Sequence, residues 1–291
     1  MPPMDRAAAN VPNLLVQGPE ATALRATALA ELSGAQAVEA LGSADPIRAW
    51  RLRGATRRDG VAAWCDAHHL DHAWVPEGRR FNDLKLLAID MDSTLITIEC
   101  IDELGAYAGK KDEIAAITAQ AMRGDIDYPA SLRRRVALLA GLDEDVLQDV
   151  YDEKLRLSPG AEQLVAHCKY HGVKLLLVSG GFTFFTGRLK ERLGLDDTIS
   201  NVLEIDNGRL TGRVLGTIVD AGAKAAKFRQ MAQRLGATPE QTVAMGDGAN
   251  DLEMMAEAGT SIAYRAKPVV RAKATYALNY AGLDGVINLF S

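Results

Sequence analysis

Four short, mostly apolar runs, separated by segments of helical pattern, most constrain the fold of this 291-residue chain. A strand that is buried on both faces of a parallel sheet reads as a nearly continuous apolar run. Strands that alternate with helices form a sheet with helices on both faces. The pattern therefore predicts an α/β fold with a parallel, Rossmann-like sheet within residues 81–291. The runs span residues 84–89, 174–178, 242–245 and 260–263.

Two insertions interrupt this predicted core. Residues 98–158, between the first two runs, are rich in Ala, Leu, Glu and Arg and have a mostly helical pattern. This length far exceeds the roughly 2–6 residues of an ordinary loop between a strand and a helix, so we interpret the insert as a helical cap. The second insertion, at about 201–217, contains Asn207-Gly208 between two strand candidates. Asn-Gly in this setting predicts a β-hairpin.

The first 80 residues have a different order of candidate elements, β-α-β-β-α-β. This order predicts a small α+β, ferredoxin-like module of residues 1–80. A polar stretch at 76–80 would link it to the core of residues 81–291. The strand candidates are Asn13–Gln17, 36–41, Ala49–Arg53 and 72–75, and the helix candidates are 20–33 and 58–69.

Composition and charge exclude several classes of function. The chain has 33 basic and 38 acidic side chains, a net charge of −5, so no basic excess can neutralise the phosphates of a nucleic acid. No apolar stretch approaches the roughly 18–20 residues that cross a bilayer, and the start lacks the pattern of a secretory signal. Three widely spaced cysteines argue against a disulfide framework and fit a reducing compartment. We therefore expect a cytoplasmic protein that binds neither nucleic acid nor membranes.

Asp90 and Asp92 directly follow the first core strand. The carboxyl ends of the strands form the ligand crevice of an open α/β sheet. Two carboxylates this close repel each other, which favours protonation of one and separates their roles. Asp90 could attack a phosphorus atom while Asp92 donates a proton and then activates water. Alone, the pair also fits two residues that merely cap a helix.

Two further polar motifs follow later strands. Ser179-Gly180-Gly181 opens a helix, where a hydroxyl and backbone amides suit a phosphate. Residues 246–251 add clustered carboxylates at a third strand end, which together with the first pair suit Mg²⁺. Each motif alone is also an ordinary turn. Because all three lie at successive strand ends, they favour a metal-dependent phosphate site.

The order of these motifs, D-x-D-x-T, S-G-G, a lysine and G-D-G-x-N-D, resembles that of the haloacid dehalogenase superfamily and, within it, of the phosphoserine phosphatases. The resemblance covers about residues 84–290 and is carried by segments 90–103, 131–136, 178–182 and 245–251. It implies a haloacid dehalogenase-like fold and a phosphoric monoester hydrolase with one Mg²⁺ in its active site. The implied reaction converts O-phospho-L-serine into L-serine and phosphate through an aspartyl-phosphate, the last step of serine biosynthesis. The N-terminal module would be similar to the amino-acid-binding ACT domains of some longer members.

The resemblance also implies roles for the matching residues. Asp90 would be the nucleophile and Asp92 the general acid/base. The metal would be held by Asp90, by the backbone carbonyl of Asp92 and by Asp247, with support from Asp251 and Thr94.

Other matching residues would hold the substrate. The phosphoryl group would be bound by Ser179, Gly180 and Lys224, although Lys227, one helical turn further on, leaves the choice of lysine open. A carboxylate suits a substrate ammonium and a guanidinium suits a substrate carboxylate, so Glu99 and Arg135 together would recognise an amino acid. Without the resemblance, the same two residues would be read as solvated helix positions. The remaining contacts implied are Glu99 to the ammonium, Arg135 to the carboxylate, Tyr128 in place of the more usual Phe, and Asn250.

Two alternatives stay open at this stage. The first is a related phosphatase or phosphotransferase that acts on another small phosphomonoester, since the motifs do not specify the acceptor. The second is an amino-acid-sensing binding protein with a silent core, which the presence of all the catalytic groups disfavours. The sequence also leaves open a homodimer, serine binding by the N-terminal module, and the preference for L over D substrates.

Overall fold

The computed structural model describes residues 12–42 and 48–290. The parts of the predicted N-terminal module at 1–11 and 43–47 therefore lie outside the described residues, as does residue 291. No helix in the described part of the chain is both long and apolar enough to cross a membrane.

The N-terminal module has the predicted ferredoxin-like topology. Its strands form an antiparallel sheet in the order β2-β3-β1-β4, once the elements are numbered along the chain. The elements are β1 (Asn13–Gln17), α1 (Ala23–Ser33), β2 (Ala37–Ala40), β3 (Ala49–Arg53), α2 (Val61–Ala67) and β4 (Asp71–Val75).

Strand β1 is buried along its whole length because its sheet is covered on both faces. Leu14 and Val16 pack with the apolar side chains of α1 and α2. Leu15, from the opposite face, joins the large core cluster of the rest of the chain together with Ala73 and Val75. The module therefore packs its open sheet face against the core.

The core sheet has seven strands among the described residues, and it confirms the predicted α/β fold class. Every pairing is parallel except that of the last two strands in its order, β11-β10-β9-β5-β6-β7-β8. The strands are β5 (Leu86–Asp90), β6 (Lys174–Phe182), β7 (Asp197–Asp206), β8 (Arg209–Leu215), β9 (Thr242–Gly246), β10 (Thr260–Tyr264) and β11 (Tyr276–Leu278).

Helices cover both faces of this sheet, which explains why its central strands are continuously apolar. From β5, Leu86 and Ala88 pack towards one layer of helices, and Leu87 and Ile89 towards the other. The chain-order helices outside the module are α3 (Cys100–Tyr107), α4 (Lys111–Arg123), α5 (Tyr128–Ala137), α6 (Asp145–Asp149), α7 (Ala161–Tyr170), α8 (Thr183–Leu193), α9 (Ala221–Arg234), α10 (Leu252–Glu257) and α11 (Pro268–Arg271).

The insert after β5 is helical, as its pattern predicts, and carries α3 to α6. A bridge between Ile96 and Leu157 brings the two ends of the insert together. The insert is fastened to the β7–β8 hairpin by backbone hydrogen bonds, including one of 2.8 Å from the Gly141 amide to the Leu210 carbonyl. Asn207 and Gly208 in the hairpin turn have φ values of 49° and 76°, as a two-residue turn of this kind requires.

Candidate active site

Asp90 and Asp92 lie at the carboxyl end of the central strand, as predicted. Asp90 is the last residue of β5 and is 4% exposed. The chain then turns sharply through Ser93, which has a positive φ of 55°. The Asp92 carboxylate accepts hydrogen bonds from the Cys100 amide (2.9 Å) and from the Ser179 hydroxyl (3.3 Å). These bonds hold it between the start of α3 and the end of β6.

Asp92 has the electrostatic character of a proton donor. Loss of bulk water around the group raises its pKa, although the bonds from Cys100 and Ser179 and the charge of Lys224 oppose the shift. A raised pKa favours the protonated form of the carboxyl, which is the form that a general acid needs. The geometry is therefore compatible with the predicted acid/base role.

Lys224 lies at the centre of the site, on α9. Its side chain is 1% exposed, and its ammonium donates hydrogen bonds to Asp90 Oδ1 (2.6 Å) and Asp251 Oδ1 (2.8 Å). Burial alone would lower the pKa of Lys224, but these two carboxylates raise it above its usual value. Lys227, the alternative lysine, instead pairs with Asp197 at 2.8 Å. The structure thus places Lys224, and not Lys227, against Asp90.

Three carboxylates form an acidic cluster beside this lysine. Oxygen atoms of Asp90, Asp247 and Asp251 lie within 4.8 Å of one another. Burial, and then the charge of Asp251, raise the pKa of Asp90 well above its usual range, and Lys224 offsets only part of this. The same two causes raise the pKa of Asp247 to about 6, and the Thr94 hydroxyl donates to Asp247 Oδ1 at 3.3 Å.

This cluster fits a divalent cation. One ammonium cannot balance three adjacent carboxylates, and hard cations prefer oxygen ligands. Asp251 is already bonded to Lys224 and to the Gly248 amide (3.1 Å), which agrees with a supporting position. The carboxylate of Asp92 lies outside the cluster, and a role for its backbone carbonyl stays a prediction.

The Ser179-Gly180-Gly181 segment packs tightly against Asp92, and it forms the last part of β6 instead of opening a helix as predicted, because α8 begins only at Thr183. The Gly181 amide donates to the Ser179 hydroxyl at 2.8 Å. A Cβ atom on Gly181 would lie 2.7 Å from Asp92 Oδ2, and one on Gly180 would collide with the Tyr128 hydroxyl. A side chain at either position would therefore displace Tyr128 or Asp92 from its place in the site.

Asn201 is a residue of this site that the sequence analysis missed. It is 1% exposed on β7, and its side-chain amide donates to the Gly180 carbonyl at 2.8 Å and accepts from the Val219 amide at 2.8 Å. The Tyr128 hydroxyl donates to the same Gly180 carbonyl at 3.0 Å. Asn201 thus ties the end of β6 to the segment that leads into α9. No local motif marks it, since the contact depends on how the hairpin folds back.

A cavity of about 530 Å³ opens between these strand ends and the cap. It brings together residues from both sides, whose individual roles stay predictions. Removal from bulk water, and then the charge of Asp92, raise the pKa of Glu99 to about 7, and the Ser93 hydroxyl donates to it at 2.6 Å. Among the predicted site residues, the lining includes Asp90, Asp92, Glu99, Tyr128, Arg135, Gly180, Asp247 and Asn250.

The lining also includes four polar residues that the sequence did not point to, namely Asp102, Thr118, Ser131 and Lys267. Ser131 and Arg135 come from the same cap helix, α5. Their side-chain atoms Oγ and Nε are buried without a hydrogen-bond partner among the described residues. The cap side of the cavity therefore presents polar groups that the protein itself does not satisfy.

Comparisons with known proteins agree with this arrangement. The model of the haloacid dehalogenase-like hydrolases matches residues 87–256. A phosphoserine phosphatase from Polaromonas sp. is 54% identical over 215 residues, which are 72% of this chain and 91% of that protein. The unliganded crystal structure of a probable phosphoserine phosphatase from Vibrio cholerae has a TM-score of 0.82 and 40% identity, and covers 95% of this chain and 85% of its own. A substrate-bound phosphoserine phosphatase has a TM-score of 0.67 and 36% identity, over 72% of this chain and 99% of its own.

Proposed function

The chain belongs to the haloacid dehalogenase-like hydrolases and, among them, to the phosphoserine phosphatases, and on this premise we propose that it hydrolyses O-phospho-L-serine to L-serine and phosphate. The observation that carries the proposal is the cavity between the sheet and the cap. Asp90 and Asp92 line it from the sheet, and Glu99 and Arg135 line it from the cap side. The sheet side of the cavity suits phosphoryl transfer, and the cap side suits the charged groups of an α-amino acid.

The first step is an attack by Asp90 on the phosphorus atom. A bond forms between a carboxylate oxygen and phosphorus while the bond from phosphorus to the serine oxygen breaks. Asp92 gives its proton to that leaving oxygen, which is the use of a carboxyl whose pKa is raised. The products of the step are L-serine and an aspartyl-phosphate on Asp90.

The second step releases phosphate. Asp92, now a carboxylate, takes a proton from a water molecule as that water attacks the phosphorus atom of the aspartyl-phosphate. The bond to Asp90 breaks and the carboxylate is restored. The Ser179 hydroxyl, the Gly180 amide and the Lys224 ammonium hold the phosphoryl oxygens, whose charge must be offset in the transition state.

The proposed cofactor is Mg²⁺, held by Asp90, the backbone carbonyl of Asp92 and Asp247. A bound cation supplies positive charge against the phosphoryl oxygens and the crowded carboxylates. The raised pKa of Asp90 supports this assignment, because a nucleophilic carboxylate must be ionised and Lys224 only partly offsets the neighbouring charges. Asp251 orients Lys224 by accepting its hydrogen bond, and Thr94 orients Asp247 by donating one to its carboxylate.

Glu99 and Arg135 account for the choice of substrate. A carboxylate at Glu99 pairs with the ammonium of phosphoserine, and the Arg135 guanidinium binds its carboxylate. Tyr128, whose hydroxyl donates to the Gly180 carbonyl, and Asn250 complete the lining. The cap closes the cavity from bulk water during transfer. We place the reaction in the cytoplasm, which three buried cysteines without a disulfide support.

The test is phosphate release from O-phospho-L-serine by the full chain, with Mg²⁺ or with EDTA. We expect metal-dependent turnover that favours phosphoserine strongly over O-phosphothreonine and p-nitrophenyl phosphate. Asp90→Asn keeps the shape of the nucleophile but not its charge, and should lower kcat by at least about a thousandfold. Turnover of the other two compounds but not of phosphoserine would show that the proposed substrate is wrong. Unchanged turnover by Asp90→Asn would show that Asp90 is not the nucleophile.

A further inference from the structure

Ser131 is an unusual buried hydroxyl. It is 0% exposed in the middle of the cap helix α5, and its Oγ has no hydrogen-bond partner among the described residues. A helical Ser or Thr normally bonds back to a carbonyl of the preceding turn. Other helical hydroxyls of this chain do so, such as Thr27 to Ala23 (3.0 Å) and Thr118 to Ile114 (3.1 Å).

A second unpartnered atom lies one helical turn further on. The Nε of Arg135 is also buried without a partner, and residues four apart on a helix lie on the same face. Both residues line the cavity of the proposed active site. Across the described chain such atoms are few, and the others belong to Thr198 and Tyr264. Since buried polar groups are normally satisfied, two adjacent ones facing a cavity point to a ligand that satisfies both.

The chemistry of the two groups favours a carboxylate. A guanidinium Nε donates only, and a hydroxyl beside it can donate to the second oxygen of the same anion. A substrate ammonium would be repelled by Arg135 and has Glu99 available instead. The phosphate is assigned to the end of β6, where the Tyr128 hydroxyl is already bonded to the Gly180 carbonyl.

We propose that Ser131 is a specificity-determining residue whose hydroxyl donates a hydrogen bond to the substrate carboxylate, beside Arg135. The inference rests on the proposed phosphoserine phosphatase function and adds a second donor to its carboxylate site. The site then binds a carboxylate through two groups from one face of one cap helix, so carboxylate recognition and cap position are linked.

The test compares Ser131→Ala with Thr118→Val in the full chain with Mg²⁺. Thr118 also lines the cavity from the cap, but its hydroxyl already has a partner, so it is a matched control. The KM for phosphoserine is measured together with inhibition constants for two analogues. O-phosphoethanolamine lacks the carboxylate, and 3-phosphooxypropionate lacks the ammonium.

For Ser131→Ala we expect the KM for phosphoserine and the inhibition constant of 3-phosphooxypropionate to rise about tenfold or more, as for loss of a hydrogen bond to a charged group. The kcat and the inhibition constant of O-phosphoethanolamine should stay within about twofold. Thr118→Val should leave all these quantities within about twofold. Three results would each overturn the proposal. The affinity for all three compounds could fall equally, it could fall only for the two compounds that carry an ammonium, or it could stay unchanged for all three. Absence of phosphoserine turnover in the unsubstituted protein would instead reject the proposed function.

Discussion

At the scale of single residues, the ammonium of Lys224 holds Asp90 and Asp251 together with almost no exposure to solvent. Lys227 is one helical turn away, and its pair with Asp197 is about a fifth exposed on each side (21% and 23%). The two lysines therefore allow a direct comparison of a buried ion pair with a partly exposed one in the same helix. Removal of a partner from a buried pair leaves uncompensated charge, whereas surface pairs contribute little.

Lys224→Met should abolish most hydrolysis and lower the free energy of unfolding by about 3–5 kcal/mol. Lys227→Met should change the free energy of unfolding by at most about 1 kcal/mol and leave kcat nearly unchanged. Urea unfolding and phosphate release, measured on both variants, provide the check. Equal effects of the two substitutions would contradict the position assigned to Lys224.

The raised pKa of Glu99, about 7, gives its proposed role a dependence on pH. The carboxylate form binds a substrate ammonium, and this form is populated as the pH rises through 7. Glu99→Gln cannot ionise. The ratio of kcat/KM for phosphoserine, unsubstituted protein over Glu99→Gln, should therefore be about ten or more above pH 7 and fall towards one below pH 6.

The ratio separates the titration of Glu99 from that of the other carboxyls, because those carboxyls affect kcat/KM of both proteins alike. For 3-phosphooxypropionate, which has no ammonium, the ratio of inhibition constants, Glu99→Gln over unsubstituted protein, should not rise with pH. A flat ratio for phosphoserine as well would mean that Glu99 does not bind the ammonium in its ionised form.

At the scale of elements, the two main cap helices are held very differently. In α4 only Ile114 is buried, although the helix has 13 residues. In α5, Ser131, Leu132 and Val136 are buried, and the segment after it is bonded to the β7–β8 hairpin. Few buried contacts give a low free energy of local opening, so α4 is the part of the cap best able to move.

Amide hydrogen exchange tests this difference. In the ligand-free protein the amides of α4 should exchange at least about tenfold faster than those of α5. Thr118, Ala121 and Met122 of α4 line the cavity, so phosphoserine bound to the inactive Asp90→Asn variant should slow exchange in α4. Strand β9, at the centre of the core, should not change. Equal protection of the two helices without ligand would contradict the assignment.

The sequence predicted elements well where a local pattern was sufficient. The bounds of β1 and β3 agree with the strand candidates, and the Asn-Gly hairpin forms where its turn residues lie. The strand-end motifs predicted that the aspartates and Ser179 lie together, and the family resemblance added Lys224, whose ammonium contacts Asp90 in the structure. Strand β11 was missed because three residues are too few for a period. Asn201 was missed because its contacts with Gly180 and Val219 arise only when distant elements pack, and Ser131 was missed because no sequence pattern marks a buried hydroxyl without a partner.

At the scale of the whole molecule, the N-terminal module is fastened to the core by buried polar contacts as well as by apolar packing. Asp71, at the start of β4, is 3% exposed. Its carboxylate accepts from the amides of Asn279 (2.7 Å), Tyr280 (3.1 Å) and Ala281 (2.8 Å), which follow β11. Nearby, the Gln17 side chain donates to the Gly285 carbonyl at 3.1 Å. Because these donors and acceptors face each other within one interface, we expect the module and core to unfold as one unit.

Asp71→Ala should uncouple the two parts, because it leaves three amide donors at the interface without their acceptor. We expect a decrease of about 2–4 kcal/mol in the free energy of unfolding and a broader transition, with the N-terminal module unfolding first. Asp66→Ala is the matched control, since Asp66 is exposed on α2 of the same module and should change the free energy of unfolding by less than about 0.5 kcal/mol. The fluorescence of Trp50, Trp64 and Trp74, all within the module, reports its unfolding, and phosphate release reports on the core. If the tryptophan signal and the activity of Asp71→Ala were lost together in one sharp transition, the carboxylate would not be what couples the module to the core.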